Sequence, residues 1–216
     1  MAQKIDIIFE DNHLLVVYKP KGVLSQADGS HHLDMLTLLK EYIKEKYHKP
    51  GAVYLGLVHR LDINTSGVMV FAKTSKAAKR LSLQIQNHEF EKKYRAVVEG
   101  VLTGSGILKH TLLKNERLKK SFVDKNGQEA ILKYSVIASK GAITLVDITL
   151  LTGRFHQIRA QFQAIGHPLY GDVKYGSKYR IDSMQFPLEA YHLAFYHPIT
   201  NEPLVFEQQN LQLESF

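Results

Sequence analysis

Residues Ile143–Arg159, ITLVDITLLTGRFHQIR, decide the fold class. The first nine, Ile143–Leu151, are apolar at nearly every position, the pattern of a strand covered on both faces and therefore central in its sheet. The chain then passes through Thr152-Gly153, with the glycine expected to make the turn, into a segment of helical spacing. At 100° per residue Phe155, Ile158, Phe162 and Ile165 form one apolar stripe, and Gln157, Ala160, Gln161 and Ala164 face the other way. Arg159 falls about 40° from Phe155 and about 60° from Phe162, on the flank of that stripe. A guanidinium turned toward a core is costly unless paired, so this position calls for a buried carboxylate. The alternative is a stem that snorkels out to water.

Working outward, Ile131–Ala138 and Lys93–Glu99 read as strands, the second placing Tyr94, Ala96 and Val98 on one face. Tyr94 on such a face is by default a core aromatic whose phenol needs a partner. Ser66–Lys73 is a buried strand, and Asp6–Glu10 and Leu14–Tyr18 are short strands parted by Asp11-Asn12. Tyr18-Lys19-Pro20-Lys21-Gly22 ends the second, because proline lacks a ladder donor. Asp34 is placed to cap a helix carrying Leu36, Leu39, Ile43 and Tyr47, and Ser75–Asn87 reads as a helix with Ala78, Leu81 and Ile85 inward. Strands outnumber helices and do not alternate strictly with them, which argues for an α+β fold. No repeat, low-complexity run or Pro/Ser-rich linker divides residues 1–216, so one domain is expected.

The chain has 216 residues, 44% hydrophobic and 23% charged, which excludes a disordered or collagen-like protein. It has no cysteine. That rules out a disulfide scaffold, a thiolate zinc site and a cysteine nucleophile, and it fits a reducing cytoplasm. No apolar run approaches the roughly 18 residues of a membrane span, and Met1–Glu10 has no signal-peptide pattern. Lys and Arg number 28 against 21 Asp and Glu, a net +7 that favours a polyanionic partner. The eleven histidines show no chelating spacing. His31-His32 are adjacent, and His59, His156, His192 and His197 stand singly. With no P-loop and no GxGxxG, neither a metal nor a nucleotide cofactor is expected.

The run His59–Gly67, HRLDINTSG, is a polar loop held between the apolar segment Val53–Val58 and a strand, the kind of place where a rigid scaffold presents a site. Asp62 offers an acceptor, a base or a nucleophile, with Asn64, Thr65 and Ser66 to orient it. The plainer reading is a turn in which Asp62 and Thr65 bond their own backbone.

HRLDINTSG resembles the H-R-L-D-x-x-T-S-G signature of the RluA family of RNA pseudouridine synthases. Five further strings resemble that family in its order: Lys19-Pro20-Lys21-Gly22 (K-P-x-G), Lys93-Tyr94, Thr152–Arg159 (G-R-x-H-Q-I-R), Gly166–Asp172 (G-H-P-I-x-G-D) and Tyr191–Phe206. The resemblance spans Ile5 to Phe206 and implies the family's catalytic fold, a mixed, mostly antiparallel sheet flanked by helices with its cleft across the sheet. It implies isomerisation of uridine to pseudouridine in rRNA or tRNA, without cofactor, in the cytoplasm, by a chain we expect to be monomeric. Asp62 is then the nucleophile or anionic stabiliser, Arg159 the opposing charge, and Tyr94 the residue that stacks on uracil or moves a proton. Arg60 fills the gap left by the flipped base, and Lys19, His59, Thr65, Arg154, His156 and Gln157 join it in holding RNA. Lys114–Lys125 and Lys174–Arg180 are expected to be basic loops gripping phosphates.

The chain departs from the family in two ways. With only four residues before Ile5, the separate RNA-binding domain that many members carry is not expected. Ser25-Gln26 also stand where V-H-P is common, a change expected to leave the catalytic positions untouched. A catalytically idle RNA-binding or chaperone protein of the same fold is the competing reading, one indifferent to substitution of Asp62.

Overall fold

A computed structural model describes residues 5–181 and 186–212. In chain order the elements are β1 (Asp6–Glu10), β2 (Leu14–Lys19), α1 (Met35–Lys46), β3 (Gly56–Leu57), β4 (Ser66–Ala72), α2 (Ser75–Gln86), β5 (Glu91–Glu99), β6 (Ser105–Asn115), β7 (Lys120–Val123), β8 (Gln128–Lys140), β9 (Ile143–Leu150), α3 (Gln157–Ala164), a 3-10 turn (Val173–Tyr175), β10 (Leu188–Tyr196) and β11 (Pro203–Glu207). None of the described helices is long and apolar enough to cross a membrane. The chain divides into two compact units, residues 1–90 with 192–208 and residues 91–191 with 209–216. Nothing in the composition marks these joints. One falls between Phe90 and the first residue of β5, the other inside β10.

In the first unit β2 pairs antiparallel with β1 and with β4, running from Leu14↔Ala72 to Lys19↔Gly67. Leu14 and Val16 of β2 meet Val68 and Val70 of β4, Ala77 and Leu81 of α2, and Phe90, Leu193 and Phe195 in one core. Asp34 caps α1 by accepting from the Thr37 amide at 3.0 Å. The buried stripe of α1 is Met35, Leu39 and Ile43, with Leu36 only partly covered. Thr74 caps α2, and Ala78 and Ile85 pack at the edge of the core.

The second unit is an antiparallel sheet in the order β5-β9-β8-β6-β7, so the apolar strand Ile143–Leu150 lies inside it, as its composition requires. Two expectations about the next element are corrected. The left-handed residue at the corner is His156 (φ 51°), not Gly153, and α3 begins only at Gln157, leaving Phe155 outside it. The helix is not amphipathic either, for Gln157, Ala160 and Gln161 are buried together with Ile158 and Phe162. Gln161 is at home there because its amide nitrogen donates to the carbonyls of Leu108 (3.1 Å) and Ala130 (3.0 Å), tying α3 to β6 and β8. Lys114–Lys125, expected as a loop, is for the most part the β6–β7 hairpin.

Glu10, at the end of β1, is the polar anchor of the first unit. Its carboxylate accepts from Tyr42 (2.9 Å), Lys46 (2.7 Å), Tyr47 (2.8 Å) and Lys73 (2.8 Å). Burial pushes this carboxyl up, but the four hydrogen bonds outweigh it and hold the pKa at about 2 instead of 4.5. A depressed carboxylate contributes stability above its unfolded pKa and loses it as the pH falls through the folded one. We therefore predict that Glu10→Gln is destabilised most near neutrality and that its gap to the parent closes between pH 4.5 and about 2. Urea unfolding across that range checks this, and a gap that does not change with pH contradicts it.

Candidate active site

The Asp62 loop enters from β3 and leaves into β4, and the segment Lys19–Ser25 holds its backbone on both sides of Asp62. On the C-terminal side the Ile63 carbonyl accepts from the Gly22 amide at 2.8 Å and from Lys19 Nζ at 3.2 Å. On the N-terminal side the Ser25 hydroxyl donates to the Leu61 carbonyl at 2.8 Å and accepts from the Leu61 amide at 3.0 Å. The Thr65 amide closes the turn on the Asp62 carbonyl at 3.0 Å. Backbone groups thus make the turn that sequence reasoning offered as the plainer alternative, and the loop is both a tight turn and a rigid mount for Asp62.

Lys19 is 0% exposed, with its ammonium on three carbonyls, those of Pro20 (3.0 Å), Val23 (2.7 Å) and Ile63. Burial pulls its pKa down to about 7, and the nearby Asp62 carboxylate pulls it back up. Lys19, expected to hold RNA, thus has its ammonium enclosed by the protein's own carbonyls, and it is a positive charge near Asp62. His59 likewise turns Nε2 inward, accepting from the Val70 amide at 3.1 Å, and Thr65 is buried. Arg60 is exposed.

In the second unit, Arg159 has the buried carboxylate its position calls for, and that carboxylate is Asp172. The pair is bidentate, Nε to Oδ2 at 2.6 Å and Nη2 to Oδ1 at 2.9 Å, and Arg159 is only 5% exposed. Snorkelling is thereby excluded. The guanidinium also lies over the rings of Tyr175 (4.7 Å) and Phe186 (4.5 Å). Burial first, then the charges of Arg159, Lys174 and Lys114, drive the His156 pKa down to about 2, so the ring is neutral. Arg159 Nη1 lies 3.0 Å from His156 Nε2, and an arginine only donates, so Nε2 accepts. Nδ1 therefore carries the proton and donates to the Tyr175 hydroxyl at 3.0 Å, which also accepts from the Ser121 amide at 2.8 Å. His156 is a spacer fixed in one tautomer between Arg159 and Tyr175.

Gln157, expected to hold RNA, is buried and engaged in the corner, its Oε1 accepting from Thr152 Oγ1 (2.9 Å) and the Arg154 amide (3.0 Å) and its Nε2 donating to the Ile131 carbonyl (3.1 Å). Arg154 is exposed and rests on the Glu129 carbonyl through Nε at 2.8 Å. Tyr94 sits buried on β5 opposite Ile148 of β9. The structure thus gathers Lys19, His59, Arg60, Asp62 and Thr65 in one unit, and Arg154, His156, Gln157 and Arg159 around one corner of the other.

Sequence reasoning gave no role to Ser25 or Asp172, and it offered Tyr175 only as an aromatic of the basic segment Lys174–Arg180. For Asp172 a signal existed, since an unpaired Arg159 demanded an acid and Asp172 ends a recognised string. For Ser25 there was none. Removing one member of a buried pair leaves the other charge uncompensated. We predict that Asp172→Ala costs about 3–5 kcal/mol in denaturant unfolding and that Asp172→Asn costs less. A loss below about 1 kcal/mol for the alanine variant contradicts the pairing.

Comparison with known proteins bears on the family and the fold. The sequence profile described as RNA pseudouridylate synthase matches residues 13–164. An uncharacterized RNA pseudouridine synthase of Aquifex aeolicus is 38% identical, over 94% of this chain and 68% of its own. The ribosomal large subunit pseudouridine synthase D of Zymomonas mobilis is 36% identical, over 97% of this chain and 71% of its own. Among solved structures, human RNA pseudouridylate synthase domain containing 1 shares the fold with a TM-score of 0.80 at 23% identity, covering 100% of this chain and 87% of that one. With the profile spanning most of its length and relatives matched over 94% and 97% of this chain, the chain belongs to the RNA pseudouridylate synthase family.

Proposed function

We propose that this pseudouridine synthase acts on ribosomal RNA of the large subunit and that Asp62 is the group that attacks or stabilises the flipped uridine. The target rests on relatives named for that substrate. The role of Asp62 rests on one observation, a carboxylate whose flanking peptides are held by the Lys19–Ser25 segment with an ammonium beneath them. The reaction breaks the bond from ribose C1′ to uracil N1, turns the base over, and joins C1′ to C5. The C5 proton is lost and N1 gains one, so no redox partner is needed. A stacked uridine must first leave the helix, at a cost of a few kcal/mol. A carboxylate on a rigid mount reaches the reacting atoms without reorganising. We assign Tyr94 to stacking on the base or moving a proton, Arg159 to the fixed positive charge the reaction requires, and exposed Arg60 to the gap left by the flipped base.

The grip on RNA is assigned to the β6–β7 hairpin and the 3-10 turn. Lys114 Nζ lies 4.7 Å over Phe155, and Lys120 Nζ lies 4.7 Å over Tyr175 and 5.3 Å over Phe122. Burial and the like charges of Arg159, Lys119 and Lys120 lower the Lys174 pKa, against the pull of Asp172. Cations crowded in this way are relieved by a phosphodiester, and the exposed Phe122 ring suits a stacked base, Tyr175 being buried. We further infer that the enzyme works as a monomer in the cytoplasm, which light scattering and cell fractionation test.

Asp62→Asn is expected to lower tritium release from C5-labelled RNA by about three orders of magnitude or more while RNA binding persists. Full activity in that variant would overturn the role of Asp62, whereas no tritium release from the parent, with RNA binding equal in both, would support the idle RNA-binding reading. Lys120→Ala with Lys174→Ala should weaken RNA binding and reduce the salt slope by about 0.7 per cation removed, and an unchanged slope removes the hairpin from the interface. Mapping pseudouridines in cells lacking the gene names the site, and loss confined to tRNA overturns the ribosomal assignment.

A further inference from the structure

Ser25 stands where the family commonly continues V-H-P, and the sequence reading took that change as irrelevant to catalysis. In the structure Ser25 is 4% exposed and its hydroxyl touches the backbone beside Asp62. One oxygen does two things there, donating to the Leu61 carbonyl at 2.8 Å and accepting from the Leu61 amide at 3.0 Å. The Leu61 carbonyl belongs to the peptide unit that supplies the Asp62 nitrogen, so the bond fixes the plane from which the Asp62 side chain departs. A hydroxyl can donate and accept at once, which a valine in the same place cannot. The remaining neighbour is Met69 Sδ at 3.7 Å, a weak acceptor. The mount is asymmetric as a result. Beyond Asp62 the Ile63 carbonyl has two holders, Gly22 and Lys19, whereas before it, among the described residues, Ser25 serves both polar groups of Leu61.

We propose that Ser25 is a positioning residue for the isomerisation, setting the direction of the Asp62 carboxylate through the Leu61–Asp62 peptide. The proposal rests on the catalytic reading of Asp62. Its mechanism is orientation. Small displacements of a reacting group are costly in rate, whereas substrate affinity is carried elsewhere. Loss of the hydroxyl should therefore appear in kcat and not in KM.

The test uses the full-length chain with C5-tritiated RNA. Ser25→Ala is expected to lower kcat about tenfold with KM changed by less than about twofold. Ser25→Thr, which keeps the hydroxyl, is expected to recover most of the loss. Met69→Leu, an alteration of packing at the same buried spot, serves as the control, and thermal unfolding of all three variants is measured alongside. If Met69→Leu lowers kcat as much as Ser25→Ala at equal stability, or if Ser25→Ala retains full kcat, the positioning role is overturned. Asp62→Asn is assayed in parallel. If it is inactive while Ser25→Ala is fully active, the inference about Ser25 fails alone. If Asp62→Asn is itself active, the reading beneath it fails.

Discussion

A guanidinium almost wholly withdrawn from water governs the second unit. Within that unit Asp172 takes two of the Arg159 N–H groups and His156 a third, while two aromatic rings flank its planar face. Such a pair contributes little net stability compared with an apolar core, since desolvation offsets much of the attraction. Its consequence is geometric. Asp172 sits just before the 3-10 turn, Tyr175 at its end, and the Tyr175 hydroxyl receives both the His156 proton and the Ser121 amide of β7. One ion pair therefore fixes the start of α3, the turn and the hairpin, and sets the array of lysines that surrounds them.

The first unit solves a related problem by similar means. Lys19 is buried like Arg159, yet its partners are mainly carbonyl oxygens, with Asp62 supplying the opposing charge at longer range. An ammonium is a compact charge with three donors, and three carbonyls suit it better than the planar fork of an arginine would. The outcome is a loop in which the side chain of interest is carried by peptides held from below. Rigidity of that kind is what a reacting carboxylate needs and what an exposed loop alone does not provide.

How much of this was legible depended on whether the signal was local. The α+β class followed from strand-rich spacing without strict alternation, and the interior position of Ile143–Leu150 in its sheet followed from its mostly apolar composition. The Asp34 cap was legible because capping is a contact over three residues. The need of Arg159 for an acid was legible as a demand, though not the identity of the acid that meets it. Helix faces were read less well. The interior of α3 accepts Gln157 and Gln161 because each amide meets a carbonyl from a distant strand, which no periodicity encodes. The burial of Lys19 and Gln157 was illegible for the same reason, since the carbonyls that receive them come from distant parts of the chain.

The sequence by itself determined the family, through six short strings whose order and spacing survive without any knowledge of contacts, and it marked Asp62, Tyr94 and Arg159 as the chemical residues to follow. Tertiary structure alone decided who serves them. The partnership of Arg159 with Asp172, the burial of Lys19 beneath the Asp62 loop, and the hold of Ser25 on Leu61 all join residues 13 to 44 positions apart. A hydrogen bond or ion pair depends on a few tenths of an ångström in space and on the exclusion of water, and neither is a property of neighbours along a chain.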